Sequence, residues 1–238
     1  MKFVSNAGKD RVLDLIRPLL RHGHKLDVMS DSFSLFAFAE LLNDLARLDE
    51  NRIVFAPAVK AGNPAQIHPD HFGFLGNASD RHSRNKLRVP WLARNLMHWL
   101  DAKAEVRSAK GPIPQGTLVL RNSQGEAQQS VLGSFGFSTG GLGITPGNPL
   151  NLIQASENAA EARMLGQWFE TQWAQLDSRP EAKAEVLSAL KALSTHRDPA
   201  SVYALMLQTL FAAEALDEEK IVKSATGIRN TVVWKKLY

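Results

Sequence analysis

Histidine and aspartate side chains that could bind a metal ion are concentrated in one part of the sequence. The segment HPDH supplies His68, Asp70 and His71, and His82 follows soon after. Imidazole nitrogens and carboxylate oxygens bind zinc and other divalent ions, so a divalent-metal-dependent nuclease is one hypothesis. The Gly, Pro, Asn and Asp residues around them predict a loop, and surface histidines without metal are far commoner. We therefore expect no metal and no other cofactor.

Positively charged side chains form a second candidate group. The segment DRHSRNKLR places Arg81, Arg84, Lys86 and Arg88 close together, and Arg121 ends a predicted strand. The chain has 28 Lys and Arg against 24 Asp and Glu, a net charge of +4 that permits a nucleic-acid partner. We predict that these five side chains contact nucleic-acid phosphates, most simply those of DNA. The alternative is a solvated loop and helix start.

The motif GFSTG satisfies the pattern G-x-S-x-G, with Gly136, Ser138 and Gly140. In a serine hydrolase this pattern follows a strand and leads directly into a helix. Here a glycine- and proline-rich segment, residues 133–149, follows instead. Its backbone N–H groups could bind an anion, or it could simply be a turn.

Composition excludes several classes of protein. The chain has no cysteine, which excludes disulfides and thiolate metal sites. No apolar run approaches the roughly 18–20 residues that span a bilayer, so we expect no membrane partner. The start, MKFVSNAGKD, lacks the apolar region of a signal peptide. These features predict a cytoplasmic protein.

Strand and helix patterns alternate over the first two thirds of the chain. KLDVMS, RIVFAP, TLVLR and QSVLG read as strands, and residues 9–21, 33–48 and 89–101 show helical spacing of apolar residues. Pro18 should kink or end the first helix early. Residues 1–155 therefore predict an α/β domain with a mixed sheet flanked by helices.

The remaining residues, 156–238, predict an α-helical extension. Its first helix carries Met164, Leu165, Trp168, Phe169 and Trp173 at helical spacing. We expect this aromatic and methionine stripe to lie in the core.

The order of these segments resembles a known family. In phospholipase D-like proteins one strand carries His-x-Lys, and a following strand ends in Gly-Ser-x-Asn. The segment LGSFGFSTGGLGI resembles the second strand and its turn, with Gly133-Ser134 and Gly141-Leu142 at matching places. The segments HKLDVMSDSF and RIVFAP are similar to the family's first βαβ unit.

The second half narrows the resemblance. EARMLGQWFETQWAQL, DPASVYALMLQTLF and TGIRNTVVWKKLY resemble the helical connector between a phospholipase D-like domain and a Swi/Snf-type (superfamily two) helicase core. The sequence contains no G-x-x-x-x-G-K-[ST], so the helicase core itself is not in it.

The family's reaction implies residues that this sequence lacks. A histidine attacks phosphorus while Lys and Asn stabilise the phosphate charge. Here the His position falls on Pro114, the Lys position on Gly116 and the Asn position on Gly136, and only Ser134 is retained. The resemblance therefore implies a degenerate active site with no catalytic residue.

The expected function follows from this loss. The resemblance implies a non-catalytic module that binds nucleic acid or positions a partner for a helicase core, in cis or in trans. Phage defence is the setting in which such domains and helicases often combine. The alternative is a protein–protein interaction module, including a homodimer, because family members often pair across the cleft.

Overall fold

A mixed β-sheet of seven strands runs through the centre of the described structure. This computed structural model describes residues 1–57, 72–76, 88–176 and 178–195, together with Tyr203 and Leu207. The strands are β1 (Lys2–Phe3), β2 (Lys25–Ser30), β3 (Glu50–Phe55), β4 (Ala104–Ser108), β5 (Gly116–Arg121), β6 (Ala127–Gly133) and β7 (Ile153–Ala155). Their order across the sheet is β1-β7-β6-β5-β2-β3-β4.

Strand direction changes in the middle of the sheet. β2, β3 and β4 are parallel to one another, while β5 is antiparallel to β2 and every later pairing is antiparallel. The predicted α/β fold with a mixed sheet flanked by helices is confirmed. The short edge strand β1 carries no sequence signal that we recognised.

Five α-helices among the described residues flank this sheet. They are α1 (Val12–Ile16), α2 (Leu35–Leu45), α3 (Val89–Lys103), α4 (Ala159–Gln175) and α5 (Pro180–Thr195). A 3-10 helix, Arg17–Leu19, follows α1, so Pro18 ends that helix early as predicted. None of the described helices has both the length and the apolar character that crossing a bilayer requires.

Side-chain caps fix where two of these helices begin. The Ser34 side chain accepts a hydrogen bond from the Phe36 N–H at the start of α2. The Asn158 side chain accepts one from the Glu161 N–H at the start of α4. Each cap satisfies a backbone donor that the first helical turn leaves free, which typically contributes about 1 kcal/mol.

Alternate residues of the central strands enter two different cores. Ile53 and Leu118 pack with α1, α2, α3 and α5 on what we call the first face of the sheet. Val54 and Val119 pack with Ala162, Phe169 and Trp173 of α4 on the second face. Four helices therefore cover the first face, whereas α4 is the described helix on the second.

The chain divides into two units, Met1–His196 and Arg197–Tyr238. Within the first unit, α4 contacts β5 and β6 and α5 contacts α3 and β4. The domain boundary after residue 155 stays a prediction. The first unit holds every residue considered below.

Candidate functional site

The ends of β2, β5 and β6 bring three loop segments together. Met29 of β2 lies opposite Thr117 of β5, and Gly116 lies opposite Gly133 at the end of β6. Residues 30–32, 113–116 and 134–136 continue from these strand ends. They are therefore neighbours in space although about a hundred residues separate the first segment from the last.

A cleft of about 330 Å³ lies at this place. Pro114, Gly116, Ser134 and Gly136, the four positions that the resemblance assigns to the degenerate site, all line it together with Asp31. The structure thus brings together residues that the sequence linked only through a motif. We call this depression the cleft.

The cleft contains few side chains that could carry out acid–base or nucleophilic chemistry. Among the described residues that line it, Asp31 is the only ionisable side chain. The others are hydroxyls, amides, apolar groups and glycines, with Asn148 and Asn151 at one side. A carboxylate without a neighbouring cation repels an anion, so these lining residues offer a phosphate group no charge stabilisation.

Gly116 occupies its position because no side chain fits there. A Cβ atom added to Gly116 would lie 2.0 Å from the Phe135 carbonyl oxygen. A backbone atom cannot move aside as a flexible side chain can. The position at which the resemblance implies a lysine is therefore sterically restricted to glycine in this fold.

Gly136 is also closely packed, but against a side chain. A Cβ atom there would lie 2.0 Å from Ser32 Oγ and 3.0 Å from Asp31 Oδ1. The position at which the resemblance implies an asparagine is thus filled by the turn after β2. At Gly116 and at Gly136, neighbouring segments therefore approach the backbone closely.

Ser30 fixes that turn to the glycine-rich segment. Its Oγ donates to the Ser32 carbonyl oxygen at 2.6 Å and accepts from the Phe137 N–H at 2.9 Å. The rings of Phe33 and Phe137 stack with centroids 4.2 Å apart. Ser30, Phe33 and Phe137 are all buried, so this arrangement stabilises the wall of the cleft.

The GFSTG motif does not form a nucleophile elbow. Ser138 Oγ accepts a hydrogen bond from the Gly141 N–H at 3.0 Å and so belongs to a turn. Residues 139–145 continue as turns and bends, and the next described helix begins only at Ala159. The helix that must follow the nucleophile is missing, which supports the interpretation of this motif as a turn.

The predicted phosphate contacts are distributed over different parts of the molecule. Arg81, Arg84 and Lys86 lie outside the described residues. Arg88 is exposed at the N-cap position of α3. Arg121 is buried on the second face of the sheet, where it contacts carboxylates of this chain.

Arg121 belongs to an ion-pair network between the sheet and α4. The Asp27 carboxylate accepts hydrogen bonds from Arg52 and Arg121, and Glu170 of α4 pairs with the same two guanidinium groups at 2.9 and 3.0 Å. The Arg52 guanidinium also lies 5.2 Å from the Phe169 ring centroid. With two carboxylates already bound to it, Arg121 has a structural role, and we do not include it in the proposal below.

The network changes the titration of Arg52 and Glu170. Burial on its own would lower the pKa of Arg52, but hydrogen bonds to Glu170 and Asp27 raise that pKa overall. The hydrogen bond from Arg52 holds the pKa of Glu170 below its ordinary value, against the opposing effect of burial. Both shifts favour the charged forms of Arg52 and Glu170, so charge-assisted hydrogen bonds attach α4 to the sheet.

A larger depression of about 540 Å³ lies on the second face, and sequence reasoning missed it. The sheet supplies Met29, Thr117 and Leu132, and α4 supplies Trp168 and Gln172. Residues 109–115, which lead into β5, form its third side. We call this depression the groove.

The helical stripe on α4 is only partly a core stripe. Phe169 and Trp173 are buried, but Met164 is 70% exposed and Trp168 is 41% exposed. The expectation that all five residues of this stripe lie in the core was wrong for these two. One helix on one face of a sheet buries a narrow strip, so residues at the strip's margin stay in contact with solvent.

The candidate metal ligands His68, Asp70, His71 and His82 lie outside the described residues. Within the part of the chain that the structure describes, no group of three or more His, Cys, Asp or Glu side chains is placed to hold a metal ion. The metal-dependent nuclease therefore stays a hypothesis about a region that the structure does not describe.

Two sequence comparisons with known proteins gave no match. The scan against models of protein families gave no match, and the search of curated proteins gave none. The resemblance to phospholipase D-like domains therefore stays a prediction.

Proposed function

We propose that this chain is a non-catalytic, phospholipase D-like module that binds nucleic acid, in keeping with a role beside a helicase core. The observation that carries the proposal is the convergence of Pro114, Gly116, Ser134 and Gly136 in one cleft without a basic or nucleophilic nitrogen among its described lining residues. Phosphodiester cleavage of the family's type requires an attacking imidazole and a cation on the phosphate. A domain that keeps the strand ends but lacks these groups is suited to binding.

The nucleic-acid part of the proposal depends on the basic stretch. Several other described arginines are paired with carboxylates of this chain: Arg11 with Asp14, Arg17 with Asp44, Arg52 with Asp27 and Arg107 with Glu105. A paired guanidinium group contributes little to an external field. Arg81, Arg84, Lys86 and Arg88 lie within eight residues of sequence, and from this dense group we expect phosphate contacts.

Binding to labelled single- and double-stranded DNA at several salt concentrations tests the proposal. We expect affinity to fall steeply with salt, because phosphate contacts release counterions. The variant Arg84→Glu/Lys86→Glu should bind more weakly and reduce the slope of log affinity against log salt by about 2, one for each lost contact. A matched control is Lys9→Glu/Lys191→Glu, which changes net charge equally at two exposed lysines elsewhere.

Cleavage is read from the same samples with a panel of divalent ions. We expect intact DNA in every sample. Cleavage that depends on a metal ion would contradict the non-catalytic proposal and favour the nuclease hypothesis with His68, Asp70, His71 and His82 as ligands. If the two charge-reversed variants bind DNA equally well, the basic stretch is not the phosphate-binding region.

A second candidate function is a protein-interaction module, favoured by exposed apolar side chains. Phe3, Leu150, Leu152 and Met164 are 60–88% exposed. Phe3 lies opposite Gln154 of β7 on the edge strand β1, so this ring is at the edge of the sheet. Exposed apolar groups that form a contiguous patch are typical of interaction surfaces.

Sedimentation of the purified chain at low and high salt separates this candidate from the first. Apolar self-association should persist at high salt, whereas phosphate binding should not. A monomer at all concentrations would reject the homodimer.

A further inference from the structure

The groove has the dimensions of a small-molecule site. Its volume of about 540 Å³ lies within the roughly 300–1,000 Å³ of known ligand sites. The sheet forms its floor through Met29, Val54 and Thr117, and α4 forms one wall. The network of Asp27, Arg52, Arg121 and Glu170 attaches α4 to the sheet and so holds that wall in place.

An aromatic ring is available on this wall. Trp168 lines the groove and is 41% exposed, although Phe169 beside it is fully buried. An indole ring that is partly exposed on a rigid helix offers a flat surface on which another ring can stack. Stacking of a nucleobase on such a ring stabilises many single-stranded nucleic-acid complexes.

Hydrogen-bonding groups also line the groove. Gln115, Gln172 and Gln175 are among its lining residues, and each side-chain amide can donate and accept.

The charged side chain in the groove favours an anionic ligand. Lys110 is the one charged side chain among the described residues that line it, and no carboxylate is among them. Lys110 is exposed, which places its ammonium where the groove meets solvent. The cleft has the opposite character, since its one ionisable lining residue is Asp31.

We propose that the groove binds a nucleotide, with the base stacked on Trp168 and hydrogen-bonded by the glutamine amides, and with the phosphate near Lys110. Amide side chains match the paired donors and acceptors of a base edge. The base can come from a free nucleotide or from a single-stranded nucleic acid. The second source rests on the proposed function, whereas the first does not.

Titration of the full chain with the four ribonucleoside 5′-monophosphates and with a short single-stranded DNA tests the site. We expect saturable binding of at least one mononucleotide, with quenching of tryptophan fluorescence. Trp168→Leu should weaken that binding roughly tenfold or more, because the stacked ring is lost. The matched control is Trp91→Leu, since Trp91 is 48% exposed on α3 and does not line the groove. It should bind as the wild type does.

The outcomes separate this proposal from the proposed function. Salt-sensitive DNA binding that Trp168→Leu leaves unchanged, without mononucleotide binding, would overturn the groove proposal and keep the proposed function. Mononucleotide binding that depends on Trp168, without DNA binding, would support a free-nucleotide site and reject the proposed function. A change in oligomeric state in Trp168→Leu alone would show that a protein occupies the groove, and would overturn the proposal.

Discussion

The cleft and the groove are adjacent, since Ile113 and Pro114 line both, yet they differ in chemistry. The cleft contains the four positions that the resemblance marks, and Asp31 is the one ionisable group among its described lining residues. The groove contains a partly exposed indole, three amides and an ammonium group, and no motif marks it. The surface that offers more groups for binding is therefore not the one that the resemblance marks.

The cleft and the groove also differ in how closely their surrounding segments pack. In the cleft, backbone segments approach so closely that side chains are excluded at Gly116 and Gly136. Along the groove, side chains of α4 and of the sheet line an open space instead. Each prediction changes one region at a time.

The largest effect is expected for the network that supports the groove wall. Asp27→Asn removes the buried carboxylate and leaves Arg52 and Arg121 with Glu170 alone. Removing one partner of a buried pair costs about 3–5 kcal/mol in the free energy of unfolding. Denaturant unfolding checks this, and nucleotide binding should weaken together with stability because α4 loosens.

The control for Asp27 is Glu50→Gln. Glu50 pairs with Lys25 on the same sheet but is 72% exposed. Exposed pairs contribute about 0–1 kcal/mol, so this variant should unfold almost as the wild type does. Equal losses in the two variants would mean that burial does not determine the strength of the Asp27 network.

The next effect concerns the cleft alone. Gly116→Ala places a Cβ atom against the Phe135 carbonyl oxygen, and we expect a loss of about 3 kcal/mol from this overpacking. Gly111→Ala is the control, because a Cβ atom there meets nothing within 4 Å. Thermal unfolding compares them. A fully stable Gly116→Ala protein would show that the cleft can open and that glycine is not required.

A smaller effect is expected at Gly136, with a specific rescue. Gly136→Ala conflicts chiefly with Ser32 Oγ, so we expect a loss of about 1–2 kcal/mol. In the double variant with Ser32→Ala the conflicting oxygen is removed, and most of the stability should return. A double-mutant cycle measures the coupling energy. Additive losses would contradict the assigned contact.

The smallest effect is the pH dependence of Glu170. The pKa of this carboxyl is lowered in the folded chain, so its contribution to stability is present above the ordinary pKa of an unfolded glutamate and is lost as pH falls through the folded value. Because the side chain is half exposed, we expect less than about 1 kcal/mol. Glu170→Gln should reduce the loss of unfolding free energy that the wild type shows as the pH falls. If the pH dependence of stability is unchanged in this variant, the ion pairs of Glu170 are not its cause.

Local sequence patterns predicted much of the fold. Alternation of strand and helix signals indicated a mixed α/β sheet, and β2, β5 and β6 lie where their apolar runs indicated. Pro18 ended α1 as expected, since a proline ring excludes the next helical hydrogen bond. These features depend on neighbours within a few residues, so the sequence specifies them directly.

The resemblance assigned four positions to one site, and the structure places all four around the cleft. Pro114, Gly116, Ser134 and Gly136 meet because antiparallel pairing of β5 with β6 sets 116 opposite 133. The sequence did not predict why positions 116 and 136 are glycines. That reason lies in contacts with Phe135 and Ser32, and Ser32 belongs to a turn about a hundred residues earlier in the chain.

By itself, the sequence determined most of the helices and strands, the fold class and the absence of a His-x-Lys pair. Only the tertiary structure decided that Arg121 is an internal partner of Asp27 and that Trp168 faces a groove rather than the core. Both decisions depend on how far α4 covers the second face of the sheet. Helical spacing defines which residues share one side of a helix, but the width of the buried strip is set by the surface on which the helix packs.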